Sequence, residues 1–419
     1  MKSMSKRIST GGIAVLVLTA MLVMQGCQDN SVSNTGDYDD PVSITGIRYT
    51  SPDSTTDIKQ VGPGDVVALE GNNMDAVANV YFNGYEATFN PALAAKSHMV
   101  VTIPADMPFG EMDPEASYMN QIKVSNSVSE DSLEFPVLPP PPQINRISDE
   151  FAEAGKEITL NGQYLYLITE IIFPGNVEAT DYQSVADGSS LKVTVPEGAT
   201  SGEIKMSSSS GTSTSSPGAR FRDPTGMICN FDDVFSYQWW SAALSSDASL
   251  YPGNEGQYAM LEVSNLAGGD GSWWNGGRSI NLNPTQWIEA SNLGENPSNF
   301  AVKFEINVEG AWEQGTLLVR AANPWTYTAR YAPWKGENGN INSFATNGWQ
   351  TVQIPLSDFK TANSEGLNGA GTALPSLADM LPDGEAPSAG IMLVNNGENA
   401  ISQLSMAIDN IRVVRIAGP

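Results

Sequence analysis

All nine tryptophans of this 419-residue chain lie beyond residue 238: Trp239, Trp240, Trp273, Trp274, Trp287, Trp312, Trp325, Trp334 and Trp349. An indole has a broad apolar face and one N–H at its edge, so a ring left in solvent can stack on another flat apolar surface while its rim hydrogen-bonds. The C–H face of a pyranose is such a surface. Trp273 and Trp274 sit between Gly268-Gly269-Asp270-Gly271-Ser272 and Asn275-Gly276-Gly277, where nothing nearby forms a strand core. Adjacent rings on an extended chain point in different directions, so at least one of the two meets solvent. A denser cluster runs from Asn323 to Trp334. In an extended chain Trp325, Tyr327 and Tyr331 share one face, and Thr326, Thr328 and Arg330 share the other. Such an aromatic face could be core, but the flanking prolines and the lack of a small aliphatic partner among the three rings favour a groove lining. Arg320 and Arg330 are candidates for hydrogen bonds to sugar hydroxyls or for buried structural pairing. The expected ligand set is therefore Trp273, Trp274, Trp325, Tyr327, Tyr331, Trp334, Arg320 and Arg330. Trp349 starts an alternating strand toward Ile354 and reads as scaffold, Trp287 and Trp312 read as cover for sheet edges, and Trp239 and Trp240 are held in reserve.

Other chemistries have less behind them. His98 is the single histidine, with no second histidine for a metal. No Gly-x-x-x-x-Gly-Lys-Ser/Thr phosphate loop occurs. Glu305, Asn307 and Glu309 alternate onto one strand face, a spacing that could bring carboxylates together for glycoside hydrolysis or could be an outward polar face. Asp232, Asp233 and Asp409 stand near the two ends of the last domain, and their hard oxygens suit a structural calcium ion or, equally, turn caps. No cofactor is required by the expected chemistry.

The charge balance narrows the partners. With 21 basic against 47 acidic residues the formal charge is −26, and removal of residues 1–26, which carry three positive charges, makes it −29. Such a chain repels phosphate backbones and anionic headgroups, so nucleic acid is excluded and a neutral partner is favoured.

The elements that must position these side chains form a string of β domains. Lys2, Lys6 and Arg7 precede an apolar run from Ile13 to Met24, too short to span a bilayer comfortably and read as a signal segment over residues 1–26. Residues 27–41 are a flexible polar linker. Then a pattern occurs twice. Gly71 and Gly162, like Phe82 and Phe173, are 91 residues apart, and Ala87 and Ala179, like Pro104 and Pro196, are 92 apart. An offset held this closely marks a repeat. Short β-branched runs between Gly, Pro and Asn turns predict two small antiparallel sandwiches, over 42–138 and 143–222, joined by the stiff Pro139 to Pro142 spacer. The Ser/Thr/Gly run from Ser207 to Gly218 reads as a hairpin loop or frayed strand ends. Residues 227–419 hold six to eight strands with long Gly/Asn loops, which predicts a larger β-sandwich or jelly roll.

Several of these features carry family resemblances. Gly26-Cys27 directly after the apolar run resembles the lipobox of bacterial lipoproteins, which implies lipidation of Cys27; the other cysteine, Cys229, then has no disulfide partner in the mature chain. The twin Gly-x-x-Val-x-Leu-x-Gly and Phe-Asn-Gly patterns resemble IPT/TIG immunoglobulin-like domains. The opening Phe231-Asp232-Asp233 and closing Asp409-Asn410-Ile411-Arg412-Val413 resemble the ends of carbohydrate-binding jelly rolls. As a whole the chain resembles a surface glycan-binding lipoprotein of a Bacteroidetes polysaccharide-utilisation system. That resemblance implies an outer-membrane, cell-surface location through a lipid anchor. It implies non-catalytic capture of a neutral β-glucan-type polysaccharide, working beside a TonB-dependent transporter and a second glycan-binding lipoprotein. The alternatives are a jelly-roll glycoside hydrolase, whose Glu-x-Asp-x-x-Glu stretch Glu305 to Glu309 resembles with Asn307 in place of the middle acid, and a protein-binding surface adhesin.

Overall fold

The computed structural model describes residues 40–51, 57–238, 241–253, 255–275, 277–321, 326–381 and 388–417. They are all-β, with antiparallel sheets and short 3-10 turns and no α-helix among the described residues. The signal segment, Cys27 and nearly all of the linker lie outside the described residues, as do Trp239, Trp240 and Trp325.

The chain divides into two compact units: one takes residues 65–104 and 121–135 together with the chain up to Ile58, the other residues 59–64, 105–120 and everything from Pro136. In the first unit one sheet runs Ser43–Tyr49, Val66–Asn72, His98–Thr102, Phe89–Ala95, and the other Tyr85–Ala87, Asn79–Phe82, Gln121–Ser125, Glu130–Glu134. Strand alternation turns Val67, Leu69, Val80, Phe82, Met99, Val101, Ile122 and Val124 inward, all buried. Residues 59–64 and 105–120 group with the second unit, where Val61 bridges Val137 and Phe109 stacks on Tyr166 at 5.9 Å.

The second immunoglobulin-like domain repeats the plan within the second unit. Its sheets are Tyr182–Ser184, Ser190–Thr194, Glu157–Gln163, Gln143–Ile147 and Val177–Glu178, Ile168–Phe173, Lys205–Ser208, Gly211–Thr214. Phe173 meets Phe221 edge-on at 5.2 Å in a core of Ile158, Leu160, Ile171, Leu191 and Val193. The Ser-rich run is a paired hairpin, with Ser208 opposite Gly211. The repeated glycines have one cause in both copies. A Cβ on Gly71 would lie 1.9 Å from the Ser43 carbonyl oxygen, and one on Gly162 1.7 Å from that of Gln143. Each copy shifts register close by, between Ile44 and Gly46 in the first and between Asn161 and Gly162 in the second.

The C-terminal domain packs two sheets face to face. The larger runs Ala243–Ser245, Tyr258–Leu266, Ile401–Arg415, Phe300–Glu309, Gln350–Pro355, with Met227–Cys229 also paired to the long last strand. The smaller runs Ser279–Leu282, Ala389–Val394, Thr316–Ala321, Tyr327–Tyr331. Between them lies one apolar core that includes Phe304, Ile306, Trp312, Val319, Ile391 and Ile408. Trp287, Trp312 and Trp349 are all buried, so the last serves as scaffold, as its strand context predicts, and the first two join the core.

Within the second unit the last two domains are joined through buried charge. The Asp149-Glu150 corner of the immunoglobulin-like domain meets the outer face of Phe300–Glu309 and the long last strand. Arg412 donates to Glu150 at 2.6 Å and to Glu305 at 2.7 Å, and Lys303 pairs with Glu150. Thr351 donates its hydroxyl to Glu305 and accepts the Glu150 amide, both at 2.8 Å. Burial pushes the Glu305 carboxyl up to about 7 against the pull of Arg412, while its two carboxylate neighbours hold the Arg412 guanidinium firmly protonated. Removing one member of such a group strands the others without water, at a cost of about 3–5 kcal/mol.

Candidate functional site

The smaller sheet of the C-terminal domain has two unlike faces, and its register says which residues belong to each. Leu317, Val319 and Ala321 turn inward with Ala329, Ile391 and Leu393. The other face carries Thr316, Leu318 and Arg320 on one strand, Thr328 and Arg330 on the next, and Met392 and Val394 on a third, with Arg320 opposite Thr328 and Leu318 opposite Arg330.

The alternation expected for the aromatic strand is present, but its direction is reversed. Tyr327 and Tyr331 pack against the core, and Tyr331 meets Phe304 and Trp312 edge-on at 6.3 and 5.9 Å. Desolvation pushes the Tyr331 phenol up to about 12. The groove-lining role expected for Tyr327 is therefore corrected, since it packs on the core, whereas Tyr331 packs on the core and also lines a cavity of about 320 Å³. The polar partners Thr328 and Arg330 face outward instead.

Arg320 is also corrected as a surface donor. It is 7% exposed, lies 5.7 Å from the centre of the Trp273 ring and contacts the Met392 sulfur at 3.8 Å. Trp273 itself rests half-buried on Leu318, Met392 and Val394 and closes this end of the face. Its neighbour is the opposite case. Trp274 stands perpendicular to Trp273, ring centres 5.6 Å apart, and is 69% exposed.

The loop that carries the pair is stapled by a buried arginine. Arg278 donates to the carbonyls of Asn275 and Ser272, both at 2.7 Å, and pairs with Asp270 at 3.3 Å. The loop is tied in turn to residues 395–399. The Gly269 amide donates to Gly397, the Asn395 amide to Asp270, and a Cβ on Gly268 would meet the Glu398 carbonyl at 2.1 Å.

Those tied residues form one wall of a cavity of about 670 Å³ on the same face of the sheet, with Thr316 and Arg330 in its lining and Trp334 and Ile341 on another side. The size falls in the range of small-molecule and oligosaccharide-scale sites. Trp334 is half-buried and fixed in place, since its Nε1 donates to the Gly315 carbonyl at 2.6 Å. Its loop folds back on itself: the Asn342 amide donates to Trp334 and the Gly336 amide to Asn340, which brings Ile341, 58% exposed, to the same cavity. Arg330 is held by neutral acceptors, the Asn368 carbonyl at 2.9 Å and the Asn396 side-chain oxygen at 3.4 Å, and partial burial lowers its pKa. It also borders a second cavity of about 320 Å³ with Gln353, Asp358 and Lys360.

Of the residues expected from sequence, Arg330 and Trp334 line the main cavity, and the Trp273–Trp274 loop is tied to its wall. Trp325 lies outside the described residues. Ile341, Asn396 and Glu398 were missed; the one available signal was an isolated aliphatic, Ile341, in an otherwise Gly/Asn loop. Asp232, Asp233 and Asp409 do not form a metal site. Asp233 bonds Asn230, Asp232 accepts the Gln257 amide at 3.0 Å, and buried Asp409 accepts from Asn410 at 2.7 Å. Among the described residues no group of three acidic, histidine or cysteine side chains is placed to share an ion. Asp232 and Asp233 brace loops, while Asp409 sits within the long last strand. Glu305 is equally remote from cleft chemistry, being locked in the buried ion pairs.

The domain so defined is a two-sheet β-sandwich, and residues 221–415 match the family model described as the surface glycan-binding protein B xyloglucan binding domain. A surface glycan-binding protein from Prevotella bryantii superposes with a TM-score of 0.69 at 19% identity, covering 90% of this chain and 99% of that one. An IPT/TIG domain-containing protein from Bacteroides ovatus is 27% identical over 199 residues, 45% of this chain and 38% of that protein's length. The resemblance to IPT/TIG-bearing surface glycan-binding proteins drawn from the sequence is borne out by these matches.

Proposed function

We propose that this protein captures an extracellular β-glucan-type polysaccharide of the xyloglucan class at the cell surface, without cleaving it. The observation that carries the proposal is the cavity of about 670 Å³ in which a pinned indole, Trp334, and an arginine, Arg330, meet on the outer sheet face of a domain matching a xyloglucan-binding family model. A half-buried ring fixed by its N–H supplies a stacking surface without the entropy cost of ordering it on binding. Two or three stacking rings at about 1–2 kcal/mol each, with hydrogen bonds nearly balanced by water, give about −4 to −8 kcal/mol, or millimolar to micromolar affinity. Weak sites on many copies hold a long chain by avidity and still release it.

The rest of the assignment follows from the sequence. Lipidation of Cys27 would anchor the protein in the outer membrane, and the polar linker and immunoglobulin-like domains would carry the binding domain outward. A TonB-dependent transporter and a second glycan-binding lipoprotein fit as its partners. Affinity electrophoresis of residues 28–419 in gels containing xyloglucan tests the reading. Retardation is expected, with about a tenfold loss of affinity in Trp334→Ala. Unretarded migration of the intact protein across a panel of neutral β-glucans would overturn it, and release of reducing sugar from the retained polymer would move the assignment to a hydrolase.

A further inference from the structure

The C-terminal domain, residues 227–419, has only eight basic residues against nineteen acidic ones. Their placement is uneven. Arg278 is paired with Asp270, Lys303 and Arg412 with Glu150 and Glu305, and Arg415 with Glu295. Arg320 lies buried against Trp273. The remaining three, Arg330, Lys335 and Lys360, have no acidic partner among the described residues, and all three border the two adjacent cavities. Arg330 lies in the lining of both cavities, satisfied only by a carbonyl and an amide oxygen. Glu398 and Asp358 also line these cavities, so their lining carries one positive charge in excess, inside a domain whose acidic residues outnumber its basic ones by nineteen to eight.

In an acidic protein every cation can find a carboxylate at little cost, and five of the eight here are committed to a partner or to a ring. Three cations without acidic partners, around two cavities that share Arg330, keep their charge available to a ligand. The cavity of about 320 Å³ beyond Arg330 is too small for a run of polymer backbone and of a size for one sugar unit branching from it. Gln353, which lines this second space, has a buried side-chain oxygen with no hydrogen-bond partner, an acceptor ready for a sugar hydroxyl.

We infer that the cavities around Arg330 receive a glycan branch carrying an anionic substituent, a carboxylate or a sulfate ester, with Arg330, Lys335 and Lys360 as its counter-charges. The inference rests on the glycan-capture reading and sharpens it: the backbone stacks in the larger space, and the acidic decoration sets the preference.

Three matched polymers test it: xyloglucan, the same xyloglucan with a fraction of its primary hydroxyls oxidised to carboxylates, and the same polymer with an equal fraction sulfated. Affinity of residues 28–419 for each is measured by isothermal titration at low and high salt. At about 0.01 M salt at least one anionic polymer is expected to bind on the order of tenfold more tightly than the parent, and the advantage should vanish near 1 M, where charges are screened within about 3 Å. Which polymer gains identifies carboxylate or sulfate as the source. Lys360→Gln and Lys335→Gln should each lower the anionic-to-parent ratio about threefold, whereas Lys192→Gln, on the second immunoglobulin-like domain, should leave that ratio unchanged. Parent binding with no gain, or a loss, for both anionic polymers would overturn the inference and leave glycan capture standing. Failure of all three polymers to bind would overturn both.

Discussion

Two regions of the second unit handle charge in opposite ways. At the junction between the second immunoglobulin-like domain and the C-terminal sandwich, Glu150, Glu305, Lys303 and Arg412 are each below 4% exposed and satisfy one another. Around the two cavities beside the smaller sheet, Arg330, Lys335 and Lys360 have neutral or no acceptors. The junction uses charge to fix the orientation of two domains, since each donor there has one geometry in which its partners are met. The cavity region withholds charge from internal pairing, which leaves it for something that is not part of the chain. The same residue types are thus locked into buried ion pairs in one place and left without acidic partners beside a cavity in another.

The contrast can be broken at either end. The largest effect is expected from Glu150→Ala, which leaves Lys303 and Arg412 without their shared carboxylate; about 3–5 kcal/mol of stability should be lost, read as a fall in the denaturant midpoint of residues 28–419. A drop under about 1 kcal/mol would mean the junction opens to water and is not a rigid weld. Next comes Trp274→Ala. Its ring is mostly in solvent, so melting temperature should hold, while affinity for the retained polysaccharide should fall about threefold to tenfold if that ring is a second platform beside the cavity. An unchanged affinity would confine recognition to the Trp334 side. The smallest effect is expected at Lys192→Ala, which removes a pair with Glu157 in which both side chains are more than half exposed. Stability should change by under about 1 kcal/mol, less at high salt.

The same contrast explains how much could be read from sequence. The domain repeat was legible because backbone geometry makes it so: Gly71 and Gly162 recur where a side chain would strike a neighbouring carbonyl, and Phe82 and Phe173 recur where each small core needs its ring. Trp349 was legible as scaffold from the strand it opens. Trp334 and Arg330 were legible as candidates from the local density of aromatic and basic groups, and both line the larger cavity. The faces were not. Tyr327 and Tyr331 share a side in the sequence pattern, as they do in the fold, yet whether that side is core or groove depends on the strand across the sandwich. Arg320 and Arg330 stand ten residues apart on paired strands, and only the Trp273 loop laid over the first makes it interior. Glu305 looks like a candidate acid by spacing and is a structural counter-ion because a different domain supplies Glu150 to the same cluster.

The sequence by itself determined the all-β class, the two small sandwiches, the larger sandwich after them and the concentration of rings in the last one. These follow from periodicity, turn residues and composition, which act over a few positions and need no partner to be specified. Only the tertiary structure decided which rings are core, which cations are spent on internal pairs, and that residues near 316, 330, 334, 341 and 397 meet around one space. Burial and pairing are relations between segments far apart in the chain, so no local pattern carries them.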